Sequence, residues 1–330
     1  MSIDHDALAR DLVRMLRGRR SQVQLSRWLG FSTNTVYSWE AGRRWPTASR
    51  FLFVAERVGH APGEVLADFL GTAEPLATDR PGVAAFLQRC RGDLAVATIA
   101  ERTGRSRYAV SRWLRGQSEP RLPDFLRLIE ATTLRLLDFV AQLCDPAELS
   151  SAAREWATLQ RARDTAWAAP WTQGVLLALT LPGYRSARHD PDVLVAALGL
   201  AREEIDRCLD HLRATGQVRW DGHRWRPVAV PTVDLRRPGS GTALKQHWLE
   251  VAAARLEQPA DGALFSYNLF TIDGASFEEL RRMQRAYYRS VRSLVADAPA
   301  GDRVVLMGVQ LVPLAGAPAG DPVGQPAKLM

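Results

Sequence analysis

Apolar positions recur at helical spacing over most of the chain, and strand-like alternation is confined to its last third. Leu8, Leu12, Val13 and Leu16 line one face of a helix predicted over 7–16. Ser21, with Gln24 three residues on, is a capping box that opens a second helix, and Gly30 closes it. Ser32 is positioned to cap a third helix, 33–40, which Gly42 ends. Pro46 and Thr47 introduce a fourth, with Phe51, Leu52, Val54 and Ala55 apolar. The order then returns, with helices predicted over 86–90, 96–103, 107–114 and 123–131, and an apolar stretch at 134–143.

That return is a duplication. Setting residues 21–56 above 95–130 aligns Gly30 with Gly104, Ser32 with Ser106, Val36 with Val110 and Trp39 with Trp113. Gly42 then meets Gly116, Pro46 meets Pro120, Phe51 meets Phe125, and Glu56 meets Glu130. Glycines, a cap, a proline and core positions are where a shared backbone needs agreement, so the chain carries two copies of one helical module.

Beyond the copies, a linker helix is predicted over 149–163 and another helix over 171–181. Asp190-Pro191 supplies a cap and a first-turn proline for a helix ending at Gly199, and 201–214 is a longer helix. The stretch 217–228 is a hairpin turning at Asp221-Gly222, with Trp220 and Trp225 flanking the turn. After a proline- and glycine-marked joint at 231–241 come a helix (242–256), a strand (263–272), a helix from a Ser276/Glu279 capping box to 295, and a strand (303–312). The last residues lack periodicity. The expected fold is therefore mainly α with a smaller α/β part. It has two tandem helix-turn-helix bundles (1–72 and 80–146), a linker helix and winged-helix-like domain (147–230), an α-β-α-β dimerisation or sensor domain (231–314) and a disordered tail (315–330).

Composition narrows the class. The chain has 330 residues, 46% hydrophobic and 24% charged, which is globular. No apolar run approaches the roughly 18 residues of a membrane span, and the first residues lack a signal-peptide pattern. Cys90, Cys144 and Cys208 are widely spaced within helical patterns, which reads as reduced core thiols in cytoplasm. Formal net charge is +7, yet 41 of the 43 cations are arginines, Lys245 and Lys328 being the only lysines. With abundant Ala and Gly, that bias reads as a coding habit, so arginine position rather than number carries weight.

Helix, glycine-bearing turn, helix is the arrangement that places a recognition helix in the DNA major groove. Ser21-Gln22-Val23-Gln24-Leu25-Ser26, Gly30-Phe31-Ser32, Val36, Trp39-Glu40, Gly42 and Pro46 together resemble phage-repressor-type (XRE-type) bacterial regulators. The second copy is similar through Ile99-Ala100, Gly104-Arg105-Ser106, Val110, Trp113, Gly116 and Pro120, and departs at Ala95-Val96, where its phosphate clamp would stand. From the residues themselves, Gln22 and its helix N-terminus offer donors to a phosphate. Val36 and Trp39 face the core, which turns Thr33, Asn34, Tyr37 and Ser38 outward, beside Ser32. Asn suits adenine N6 and N7, and a Thr methyl suits thymine. Arg43 and Arg44 follow the helix and would meet backbone. The second copy turns out Arg107, Tyr108, Ser111 and Arg112, with Arg105 and Arg115 nearby; arginine suits guanine O6 and N7.

The winged-helix-like segment opens its third helix with Glu203 and Glu204, which suit the helix dipole and repel phosphate, so it reads as a connector. From about Trp167 to Gly316 the chain resembles a domain of unknown function found in bacterial helix-turn-helix regulators, through Leu198-Gly199, 212–216, Leu244-Lys245-Gln246-His247 and the closing 309–314. His247 reads as a satisfied half-buried histidine, with a ligand or switch role as the alternative. No nucleophile elbow, phosphate loop, zinc-protease motif or paired cysteine spacing occurs. The expectation is a cytoplasmic, nucleoid-associated transcription regulator and not an enzyme. It has no catalytic residues, metal or cofactor; its partners are double-stranded DNA, a second copy, and a small-molecule or protein effector, with no membrane. The alternative is an interaction module that binds polymerase, an antirepressor or another regulator and does not read DNA.

Overall fold

A computed structural model of the chain describes residues 3–186, 188–228, 242–299 and 301–314, so the joint expected at 231–241 and the tail at 315–330 lie outside the described residues. The first copy comprises α1 (His5–Arg17), α2 (Gln22–Trp28), α3 (Thr35–Glu40), α4 (Ala48–Arg57) and α5 (Pro62–Leu70). The second comprises α6 (Arg80–Arg91), α7 (Val96–Thr103), α8 (Arg107–Leu114), α9 (Leu122–Thr133) and α10 (Leu136–Ala141). Caps set most starts. Ser21 and Gln24 close their reciprocal box, at 3.1 and 2.8 Å, and Thr47 caps α4 through the Arg50 N–H. Gly42 and Gly116, at φ +69° and +68°, take the left-handed turns that end α3 and α8.

The two copies share one core. Leu8 to Ala152 form a single hydrophobic cluster. At its centre Phe69 from the first copy meets Phe86 and Phe139 from the second, with ring centroids 6.1 and 5.4 Å apart. The copies also join backbone to backbone. The Ala48 N–H donates to the Pro120 carbonyl at 3.0 Å, and the Leu122 N–H to the Pro46 carbonyl at 2.9 Å, around a bridge between Thr47 and Arg121. The repeat offset that carries Pro46 onto Pro120 carries Ala48 onto Leu122, so these two bonds are the same bond made in both directions. Helix packing crosses the junction too, α1 lying on α9 and α6 touching α4 as well as α9 of its own copy.

A 3₁₀ turn (Pro146–Glu148) leads to α11 (Ala153–Ala168), then α12 (Trp171–Ala178), α13 (Pro182–Arg185), α14 (Pro191–Leu198), α15 (Arg202–Ala214) and strands β1 (Val218–Trp220) and β2 (Trp225–Pro227). Val175, Tyr184, Leu194, Ile205 and Leu212 centre a second core here. Asp190 caps α14 as expected. The hairpin pairs Trp220 with Trp225, so its loop spans 221–224 rather than two residues. Asp221 accepts from the His223 and Arg224 N–H groups, both at 3.0 Å, and closes the longer loop.

The final helices are α16 (Thr242–Glu257) and α17 (Gly274–Asp297). Asp273 caps α17 by accepting from the Ser276 N–H at 3.0 Å, in place of the expected Ser276. Each helix is fastened by an arginine. Arg255 of α16 donates to the carbonyls of Leu198 and Gly199. Arg102 of α7 donates to the Ala131 carbonyl, to Ser293 and to Asp297, which ties α17 to the second module. The fold is thus mainly helical with a small β part, but that part is the 218–227 hairpin. The strands expected over 263–272 and 303–312 carry no ladder. Alternation describes two such segments, and a strand also needs an edge beside it; neither segment has one within the described chain.

Candidate nucleic-acid interface

In the first module the turn between α2 and α3 is built around one buried hydroxyl. Gly30, at φ +82°, lets the chain leave α2, and Phe31 N–H closes back on the Ser26 carbonyl at 2.9 Å. Ser32 does not cap α3. Asn34 does, its Oδ1 accepting from the Tyr37 N–H at 3.2 Å. Ser26 decides this: its Oγ, 1% exposed, accepts from the Val36 N–H at 3.0 Å and reaches Asn34 Oδ1 at 3.3 Å. With Val36 and Trp39 buried below, the tip of α3 leaves Ser32, Thr33 and Tyr37 exposed and Asn34 and Ser38 half-buried. Asn34 therefore reaches outward only with its amide nitrogen. Arg43 stacks on Tyr37, its guanidinium 5.2 Å from the ring, while Arg44 extends exposed beside it.

The second module builds the same turn without the hydroxyl. Ala100 stands where Ser26 does, and α8 starts two residues earlier in the aligned frame, capped by Ser106 through the Ala109 N–H at 3.2 Å. The Val110 N–H then has the Ser106 carbonyl to bond, at 3.1 Å, and needs no side chain. Outward stand Arg107 and Tyr108, both exposed, and Arg112, which lies 5.5 Å over the Tyr108 ring. Arg115 holds the Ser111 hydroxyl at 2.9 Å. Arg105 is drawn aside by Asp124, 2.7 Å away. Arg107 is exposed, with no such partner among the described residues.

Gln22 is not a free clamp. Its amide donates to Glu40 at 2.7 Å, and Arg17 Nε meets the same carboxylate at 2.5 Å. Glu40 is 6% exposed, so this cluster ties α1, α2 and α3 beneath the tip rather than serving a ligand. The fold also gathers cations beside the expected Arg44 that pattern reading missed: Arg20, Arg50, Arg57 and Arg121. Arg44, Arg50 and Arg121 line a cleft where the two modules meet, together with Trp45 and Thr47. Arg20 and Arg57 stack on the exposed Trp28, at 5.2 and 5.6 Å. Only the tertiary fold brings these arginines to one face, since they sit on different elements.

The winged-helix-like part keeps its acidic start, where Glu204 pairs with Arg207. Trp220 and Trp225 pack edge to face across the hairpin, 5.3 Å apart. Tyr184 Oη accepts from the Trp225 N–H at 3.1 Å and lies 2.8 Å from His189 Nδ1. Burial holds the His189 ring below the ordinary histidine range, against the pull of Asp206 and Asp190. His247 is half-buried against Trp171 and Trp248, but its Nε2 has no hydrogen-bond partner, so it is not the satisfied histidine expected. Burial pushes the thiols up, Cys90 and Cys208 to about 12 and Cys144 to about 11, which keeps all three protonated at neutral pH. Among the described residues no helix is long and apolar enough to cross a membrane, and no three His, Cys, Asp or Glu side chains gather as a metal site would require.

The fold defines a mainly helical protein: a duplicated helix–turn–helix unit on one core, followed by a smaller helical unit with a hairpin and two further helices. Residues 151–314 match the family model described as a domain of unknown function (DUF4423). The match begins ahead of the expected Trp167 and takes in α11. No curated protein and no solved structure matches the chain.

Proposed function

We propose that this protein is a sequence-specific DNA-binding transcription regulator, not an enzyme, and that its place is the cytoplasm, on the nucleoid. One observation carries the reading. Each helix–turn–helix buries one side of its second helix and leaves the tip bare, with polar side chains in one copy and arginine-rich ones in the other. Short polar groups and arginines at a helix tip are what base edges accept. The arginines on neighbouring elements would meet the phosphates.

The 151–314 region would serve as companion: a connector, then a surface for a second copy and for a small-molecule or protein effector. The segments 263–272 and 303–314 support self-association. Twelve of their large apolar side chains, from Leu264 to Leu314, are exposed, which is surface a second copy could cover.

The test is a salt titration of the full chain on random duplex. Affinity falling steeply and log-linearly with salt supports DNA binding. No binding even at low salt overturns it in favour of the second reading, an interaction module for polymerase, an antirepressor or another regulator. That reading has its own support in the exposed Val23, Trp28 and Phe53 of the first module.

A further inference from the structure

We infer that one chain reads a pair of unlike DNA words in inverted orientation at one fixed spacing, using its two modules as the two halves of a built-in dimer. The inference rests on the DNA-binding reading above and adds the form of the target. Its basis is the reciprocity of the module junction. Ala48 to Pro120 and Leu122 to Pro46 are one hydrogen bond made twice under exchange of the copies, and the bridge between Thr47 and Arg121 lies between them. Such reciprocity is the mark of an isologous, two-fold contact, here made inside one chain.

A two-fold axis reverses directions across it and keeps the direction along it. For both tips to engage one duplex, this axis must run through the duplex, with the tips at the same height along it and reversed in order. The dyad of a duplex relates its strands by the same operation, so the two words lie inverted. The copies share one core, in which Phe69 of the first meets Phe86 and Phe139 of the second, and that shared core holds the junction rigid. Direct contact between modules limits their reach to successive turns of the groove, about 10 base pairs apart. The words differ because the tips do. Thr33, Asn34 and Tyr37 face outward in one, and Arg107, Tyr108 and Arg112 in the other. The arginine tip favours guanine.

The test selects bound duplexes from a random pool of about 40 base pairs, enough for two such pairs side by side, using the full chain at low salt. Two unlike words, inverted, at one invariant spacing are expected. On the selected duplex, inserting about 5 base pairs between the words turns one to the far side and should cost about 100-fold or more in affinity. Arg107→Ala, at an exposed position with no hydrogen bond among the described residues, should relax one word and leave the other unchanged. A single word, two identical words, or words tolerated at many spacings or in direct repeat would overturn the inference while leaving DNA binding intact. A pool from which nothing is retained overturns the DNA reading itself. If two chains associate, two such pairs are recovered, and the spacing within each pair still holds.

Discussion

Ser26 is the side chain that makes the α2–α3 and α7–α8 turns differ, and removing its oxygen measures how much. In Ser26→Ala the Val36 N–H loses its only acceptor while staying buried, because α3 starts too late for a backbone carbonyl to serve. An orphaned buried donor costs about 1–3 kcal/mol, and the cavity left by one oxygen adds little. A loss of about 2 kcal/mol lowers the melting midpoint of a unit this size by roughly 4–8 °C, and the urea midpoint falls with its slope unchanged. The aligned change in the other copy, Ala100→Ser, should stay within about 0.5 kcal/mol, since the Val110 N–H already bonds the Ser106 carbonyl. Calorimetry and urea titration of both variants decide it. Equal effects, or a loss below about 0.5 kcal/mol for Ser26→Ala, would refute the assignment of that hydroxyl.

Three further outcomes follow from the same geometry. Arg17→Met strips the buried Glu40 of its closest cation and should cost about 3–5 kcal/mol, while adding Glu40→Gln should recover most of the loss; additive losses in a double-mutant cycle would argue against the pair. His189 has a folded pKa below its unfolded one, so its contribution is present above about pH 6.5 and is lost as pH falls through the folded value. Tryptophan emission from the hairpin should therefore loosen on acidification in the native chain and not in His189→Asn, and identical profiles would count against it. Leu269→Asp and Val305→Asp should yield monomers in sedimentation without lowering the melting midpoint of the N-terminal core; a native chain that sediments as a monomer at micromolar concentration removes the case for self-association.

Local chemistry made much of this architecture readable in advance. The capping box at Ser21, the Thr47 and Asp190 caps and the aligned glycines each act within a few residues, and each stands where the pattern put it. What was not readable depends on partners distant in sequence. Ser32 and Asn34 are both competent caps, and the choice fell to Asn34 because Ser26 reaches the Val36 N–H from another helix. Gln22 has the chemistry of a phosphate donor, but Glu40 comes within reach only once α2 and α3 fold together. Amphipathic spacing shows that α1 has a buried face, not that this face lies on α9 of the other copy. The segments 263–272 and 303–312 alternate as strands do, and alternation cannot supply a neighbour.

The duplication inside one polypeptide has a genetic consequence. When two readers are separate copies of one gene product, any codon change at the tip alters both contacts at once, and the target must change at two places together to follow. On the proposed reading Thr33 and Arg107 are encoded apart, so a target could drift on one side while the other holds it in register.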